Sequence, residues 1–154
     1  MREILFKAKR IKDGKWIEGY LFDNGFDGKE KKYFIGGLII EKYNGTACDE
    51  WDITGIDFCE IDPETLCQFT GLYDRYGNKI WENDILKTWS DEYAQVKFGF
   101  YDTGFASGDY NQGFYAAFPE DSYYRHELGY WCKESYVRGN IFDNPELLQE
   151  ELDE

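Results

Sequence analysis

Short apolar and aromatic runs, separated by turns rich in Gly, Asp and Asn, follow one another along most of the chain. In the first run, Ile4, Phe6 and Ala8 occupy every second position, which is the period of a β-strand. Asp13-Gly14 predicts a two-residue hairpin turn, because both residues can adopt positive φ. The patterns predict strands over residues 4–8, 15–22, 33–43, 55–61, 66–72, 84–89 and 93–101.

The predicted strand 33–43 contains two adjacent glycines, Gly36 and Gly37. Glycine inside a strand weakens it and commonly marks a bulge or a place where another backbone comes close. We therefore expect one of these two features in the middle of this strand.

Helical periodicity is missing from residues 1–140. The one clear helix start lies near the end, where Asn144 can cap, Pro145 suits the first helical position and Glu146 favours the positive end of the dipole. The sequence thus predicts a mainly β fold, a small SH3-like barrel or curved antiparallel sheets, with a short C-terminal helix. We expect an N-terminal β region with a hairpin (1–66) and a barrel-like region with the helix (67–154), packed as one compact unit.

The charge of the chain limits its partners. Among 154 residues, 31 are acidic and 17 basic, a net charge of −14, and residues 67–154 alone carry 17 acidic and 7 basic groups, net −10. Proteins bind double-stranded nucleic acid by neutralising phosphates with Lys and Arg, so we expect no such partner.

No run approaches the ~20 apolar residues of a membrane helix, and residues 1–7 lack the apolar core of a signal peptide. We expect a cytoplasmic protein without membrane contact.

No established catalytic or metal-binding motif stands out. The cysteines at positions 48, 59, 67 and 132 show no CxxC spacing, and His126 is the single histidine, so we expect reduced thiols, no metal and no cofactor. Cys132 follows His126 by six residues, but such a cysteine is more often a small buried apolar residue than a nucleophile. P-loop, dinucleotide-binding and GxSxG motifs are absent. The abundant carboxylates leave a small metal-dependent hydrolase as the enzymatic alternative.

Aromatic residues concentrate in residues 99–131, which hold eleven of them and five glycines. Tyr and Trp favour interfaces because each joins a large apolar area to a polar group, but the same residues also fill sheet cores or line small-ligand sites. Stacking of single-stranded nucleic acid is disfavoured, since Arg125 is the only Lys or Arg in the segment. The candidate interface residues are Tyr101, Tyr110, Tyr115, Tyr123 and Trp131.

Three blocks of the sequence carry a family resemblance. Residues 60–86 read EIDPETLCQFTGLYDRYGNKIWENDIL, residues 2–8 read REILFKA, and residues 137–148 read VRGNIFDNPELL. In this order the blocks resemble the YopX family of phage and prophage proteins. The chain departs from the family pattern at Asn83, where Gly is common, and at Cys67.

The resemblance implies a β-rich protein encoded by a phage or prophage, and it brings no known activity or catalytic residue to this chain. The motif residues are typical of turns and strand cores, so we interpret them as determinants of the fold. The missing catalytic pattern, the aromatics and the negative charge favour an accessory protein that binds an unidentified host or phage protein without catalysis. The alternatives are the hydrolase above and an acidic nucleic-acid mimic. Exposed aromatics and strand edges also favour self-association as a homo-oligomer.

Overall fold

The structure is a computed structural model that describes residues 1–42, 50–104, 108–119 and 125–149. Within these residues the strands are β1 (Phe6–Lys9), β2 (Trp16–Asp23), β3 (Tyr33–Lys42), β4 (Trp51–Glu60), β5 (Cys67–Tyr73), β6 (Lys79–Trp81), β7 (Asp84–Thr88), β8 (Tyr93–Asp102), β9 (Tyr110–Ala117) and β10 (Ser135–Asn140). The α-helix is α1 (Leu128–Glu134), and 3₁₀ turns occupy Gly28–Glu30, Pro63–Thr65 and Pro145–Leu148.

The chain forms two compact units. The N-terminal unit is Ile4–Cys67, and the C-terminal unit is Gln68–Glu154 together with Met1–Glu3. The expectation that regions 1–66 and 67–154 pack as one unit stays a prediction.

The N-terminal unit is built on antiparallel strands in the order β4-β3-β2-β1, so strands consecutive in sequence are neighbours. The predicted hairpin joins β1 to β2, but its loop is longer than two residues and is closed by the bond from Arg10 N to Lys15 O at 2.9 Å. Its core cluster is Ala8, Ile35 and Ile61, against which Phe6, Ile17, Leu21, Tyr33 and Leu66 pack. Because side chains alternate between the faces of a strand, this core accounts for only one face of β2 and β3.

The C-terminal unit contains antiparallel strands in the order β10-β7-β8-β9 and the β5–β6 hairpin. Helix α1 contacts β9 and β10. Residues from the strands and the helix together form the main core cluster, which consists of Ile80, Leu86, Val96, Leu128 and Cys132.

The mainly β class is confirmed, as antiparallel sheets that do not close into a barrel within the described residues. The short helix expected near the C-terminus begins at Pro145, as predicted, and is a 3₁₀ helix, Pro145–Leu148, while the α-helix α1 lies earlier in the chain. Asn144 makes no capping bond through its side chain. Its Oδ1 accepts a hydrogen bond from Asn140 N at 3.3 Å and closes the turn after β10.

The turn between β5 and β6 is organised by one buried carboxylate, that of Asp74, which is 5% exposed. Its Oδ1 accepts the backbone N–H groups of Tyr76 and Asn78, each at 2.9 Å. Its Oδ2 accepts Asn78 Nδ2 at 3.2 Å and Val137 N at 2.9 Å. One side chain therefore shapes the turn and ties it to β10, which supports the interpretation of this motif as a determinant of the fold.

Asn83 lies between β6 and β7 with φ of +69°, in the left-handed region. Its N–H donates to Val96 O at 2.8 Å, its C=O accepts from Ile141 N at 3.1 Å, and its Oδ1 accepts from Gln95 Nε2 at 3.2 Å. Glycine and asparagine tolerate this conformation best. The backbone thus gives a physical reason for both the Gly that is common in the family and the Asn found here.

We expect Asn83→Val to destabilise the protein by about 1–2 kcal/mol, because a β-branched residue is strained at positive φ. Asn83→Gly should stay within about 0.5 kcal/mol of the wild type, since relief of the backbone offsets the lost Gln95 bond. Urea denaturation at neutral pH measures both. Equal stability of the two variants would contradict the proposed role of the backbone conformation.

Candidate functional site

The β8–β9 hairpin, which contains the first part of the aromatic segment, displays an exposed row of rings. Phe98 pairs with Phe114, and Asp102 pairs with Tyr110, so the even-numbered residues of both strands share one face. Near the core this face is buried, and farther along the hairpin Phe98, Phe100 and Tyr110 are 51%, 71% and 60% exposed. These three residues are called the aromatic strip.

The opposite face of the hairpin carries two of the candidate tyrosines, Tyr101 and Tyr115, whose ring centroids are 5.6 Å apart. They flank Gly99 and Gly113, which face each other across the strands. A methyl group on Gly113 would lie 4.0 Å from Tyr101 Cε1, and one on Gly99 would lie 3.9 Å from Tyr115 Cε1. The two rings therefore fill the space that the paired glycines leave open on this face.

A polar cleft of about 410 Å³ opens beside Tyr101. Thr103 Oγ1 lies 3.2 Å from Asp109 Oδ2 within it. Glu127 also lines it, and although burial raises the pKa of this carboxyl, its hydrogen bond and ion pair with Arg125 lower it overall. The cleft thus presents oxygen atoms and negative charge. The described residues contain no group of three or more His, Cys, Asp or Glu side chains placed to hold a metal ion.

The other candidates lie elsewhere. Trp131 is 7% exposed, packs against Phe118 with ring centroids 4.9 Å apart, and donates its Nε1–H to Arg125 O at 2.8 Å. It belongs to a core cluster with Ala94 and Ala116. Tyr123 lies outside the described residues. Of the five candidates, Tyr110 therefore has the most exposed ring among those described, and only Tyr101 and Tyr115 come together.

The nucleophile considered from the sequence, Cys132, lies in the core of the C-terminal unit. Burial raises the pKa of its thiol, and Sγ is 3.4 Å from Gly129 O, to which it can donate. A raised pKa keeps the thiol protonated and disfavours the thiolate that nucleophilic chemistry requires.

A second exposed surface, which the sequence interpretation missed, covers one side of β2–β4 in the N-terminal unit. Leu38 pairs with Ile56 and Ile40 with Ile53, so these four side chains share a face. The surface, called the apolar face, consists of Tyr20, Phe22, Phe34, Leu38, Ile40, Ile53, Ile56 and Phe58. All but Phe34 are between 39% and 64% exposed.

Aromatic packing and two glycines shape the apolar face. The rings of Phe22, Phe34 and Phe58 form a cluster with centroid distances of 5.6–5.8 Å. Beside it, a depression of about 530 Å³ opens over Gly36 and Gly37. The uninterrupted apolar run 38–40 was the available signal in the sequence, since a half-buried strand would alternate with polar residues.

The described part of the chain contains no helix long and apolar enough to cross a membrane. No curated protein matches the sequence.

The fold is that of a small mainly β protein with antiparallel sheets. Residues of the motif 60–86, among them Asp74 and Asn83, shape its turns. The sequence profile of the family described as "YopX protein" matches residues 6–149, so the chain belongs to the YopX family. A solved structure, protein EF1440 from Enterococcus faecalis, matches with a TM-score of 0.50 and 21% identity over 96% of this chain and 99% of that chain. At this identity the likeness concerns the fold alone.

Proposed function

We propose that this YopX family member is a phage or prophage accessory protein that acts in the cytoplasm by binding another protein, without catalysis. The observation that carries the proposal is the exposure of the aromatic strip, Phe98, Phe100 and Tyr110. The chain belongs to the YopX family, and the phage connection is what the resemblance to that family implies. The spacing of the cysteines, which favours thiols rather than disulfides, supports a cytoplasmic location.

The aromatic strip has the properties of a binding anchor. Its three rings project from one face of a hairpin that the core holds in place, because Val96 and Ala116 on the same face are fully buried. At the exposures of its three residues, the strip presents roughly 350 Å² of ring-bearing side chain to solvent. One partner in a standard interface buries about 800 Å², so the strip supplies the apolar centre and its polar surroundings supply the rim.

The charge beside the strip indicates the chemistry of the partner. Asp102 lies directly opposite Tyr110 in the β8–β9 register, and Asp109 precedes Tyr110; both carboxylates are exposed. A partner with an apolar pocket ringed by Lys and Arg would match this arrangement. Rim charges of this kind act mainly on specificity and on the rate of association.

We expect the double variant Phe100→Ser/Tyr110→Ser to lose partner binding while it remains folded. Truncation of one anchor residue typically costs about 2 kcal/mol, a roughly 30-fold loss of affinity. Immobilised wild type and variant would be exposed to nuclease-treated host lysate, and captured proteins identified by mass spectrometry. The affinity of each differentially captured protein is then measured with purified components.

Tyr76→Ser is the matched control, since Tyr76 is 66% exposed in the β5–β6 turn. A true partner is retained by this control and lost by the double variant. The proposal is overturned if every captured protein binds the double variant as well as the wild type, or if nothing is captured. An affinity that falls more than about a thousandfold between 50 and 200 mM salt would instead favour the nucleic-acid mimic.

A further inference from the structure

We propose that the apolar face of the N-terminal unit binds a second copy of this chain in a two-fold symmetric dimer. The proposal concerns a surface separate from the aromatic strip, and it does not depend on the proposed function. It rests on the area, the shape and the charge of the apolar face.

The exposed area of the face fits a dimer interface. Seven of its eight side chains are between 39% and 64% exposed, which leaves roughly 700 Å² of them open to solvent. The largest apolar patch on a typical monomer measures about 300–600 Å². A stable interface of standard size buries about 800 Å² per partner. The face therefore exceeds an ordinary monomer patch and nearly supplies one side of a dimer.

A two-fold interface requires a self-complementary surface, and the apolar face offers both a recess and projecting side chains. The depression over Gly36 and Gly37 supplies a recess of about 530 Å³. Ile53 and Phe58 project from the same face without lining this recess and are 59% and 51% exposed. One surface thus carries both the recess and the projections, so the projecting side chains of each copy can enter the recess of the other.

Charge also favours this occupant. All eight side chains of the apolar face are uncharged. On this face the charged residues of β3 and β4 lie toward the strand ends, at Lys42 and Glu60, whereas Asp57 pairs with Gly37 on the opposite face. The centre of a stable interface is depleted of charge in this way. Two copies of net charge −14 repel each other at long range, and salt screens that repulsion. Dimerisation should therefore strengthen as salt increases, whereas binding of a basic partner to the aromatic strip should weaken.

The test is the concentration dependence of the mass in solution, measured by sedimentation equilibrium between about 1 and 200 µM, a range that spans typical weak to moderate dissociation constants. We expect the wild type to reach twice the chain mass of 18.2 kDa. Ile56→Glu should remain a monomer, because the dimer would bury an unpaired carboxylate. Since Ile56 is exposed in the single chain, its circular dichroism and melting temperature should stay close to those of the wild-type monomer.

Phe26→Glu is the matched control: Phe26 belongs to the same unit, is 57% exposed and lies outside the apolar face. It should dimerise like the wild type, and so should Phe100→Ser/Tyr110→Ser, which separates this proposal from the proposed function. A second variant, Ile40→Thr, keeps a strand-forming residue and should weaken the dimer by about tenfold. A wild type that stays monomeric at 200 µM, or an Ile56→Glu variant that dimerises, overturns the proposal. The proposal is also overturned if the wild type is monomeric and captures a different protein that the Ile56→Glu variant no longer binds.

Discussion

Gly36→Ala should destabilise the protein by about 3 kcal/mol or more, the upper range for overpacking of a well-packed site. A methyl group on Gly36 would lie 2.0 Å from Asp57 O and 2.6 Å from Phe58 Cα. Both atoms belong to the backbone of β4, so no side-chain rotation relieves the overlap. Strand β4 must therefore move away from β3, which weakens the backbone hydrogen bonds between these two strands beneath the apolar face.

The neighbouring residue provides the control for this prediction. A methyl group on Gly37 would meet Tyr20 Cδ2 at 3.8 Å, an ordinary contact. Gly37→Ala should therefore match the wild type or gain up to about 1 kcal/mol, because Gly costs conformational entropy inside a strand. Urea denaturation of the three proteins at neutral pH decides the question. Similar midpoints for Gly36→Ala and Gly37→Ala would show that β4 can adjust and that the close approach is unimportant for stability.

The expectation about Gly36 illustrates what the sequence could indicate. Two glycines within a strand predicted a bulge or a close backbone approach, and the structure shows the approach at Gly36 and a register shift farther on, between Ile39 and Ile40. The pattern could not tell which glycine is essential. That depends on the path of β4, which begins nine residues after β3 ends.

The two helical segments show how much local sequence signals can predict. The Asn144-Pro145 pair satisfies the sequence rules for a helix start, but Asn144 Oδ1 bonds to Asn140 N, and only a 3₁₀ turn follows. Helix α1 has seven residues and no side-chain cap at Glu127. It is held by burial of Leu128 and Trp131 rather than by local preference. Tertiary packing of this kind leaves too short a pattern to recognise in the sequence.

The sequence also could not predict which aromatic side chains are buried and which are exposed. Tyr101, Tyr110 and Trp131 lie within one aromatic-rich segment, yet one flanks a glycine, one is exposed and one is in the core. The strand register decides between Tyr101 and Tyr110, because a shift of one residue would exchange the two faces of the hairpin. Trp131 lies outside the hairpin, in α1. The sequence therefore indicated an aromatic surface and one of its exposed members, Tyr110, but not Phe98 and Phe100.

If both proposed surfaces operate, each dimer carries two aromatic strips. A partner that presents two binding sites would then gain avidity, since the second contact forms at a high effective concentration. Ile56→Glu would lower the apparent affinity for such a partner without touching the strip. A partner with a single site would bind Ile56→Glu and the wild type equally well.

Asp74→Ala should cost about 3 kcal/mol of stability, because it removes the acceptor of four hydrogen bonds in the buried turn between β5 and β6. The N–H groups of Tyr76, Asn78 and Val137 would lose their partner. Asp102→Ala is the control, since this exposed carboxylate accepts a bond from Gly104 N at 2.8 Å in a surface turn, and its loss should cost under about 1 kcal/mol. Equal losses in the two variants would show that the Asp74 network adds nothing beyond an ordinary turn.

The pH dependence separates the charge of Asp74 from its shape. Burial raises the pKa of this carboxyl, but the hydrogen bonds from Val137, Asn78 and Tyr76 outweigh burial and lower it overall. A carboxyl whose pKa is lower in the folded state stabilises the fold above the unfolded-state value of about 3.9, and this contribution disappears as the pH falls through the folded-state pKa. Asp74→Asn should therefore be less stable than the wild type at pH 7, and the difference should shrink below about pH 4. Urea denaturation of both proteins across this range measures the difference. A gap that stays constant down to pH 2 would show that the ionised form of Asp74 has no special role, because only protonation of the wild-type carboxylate can close it.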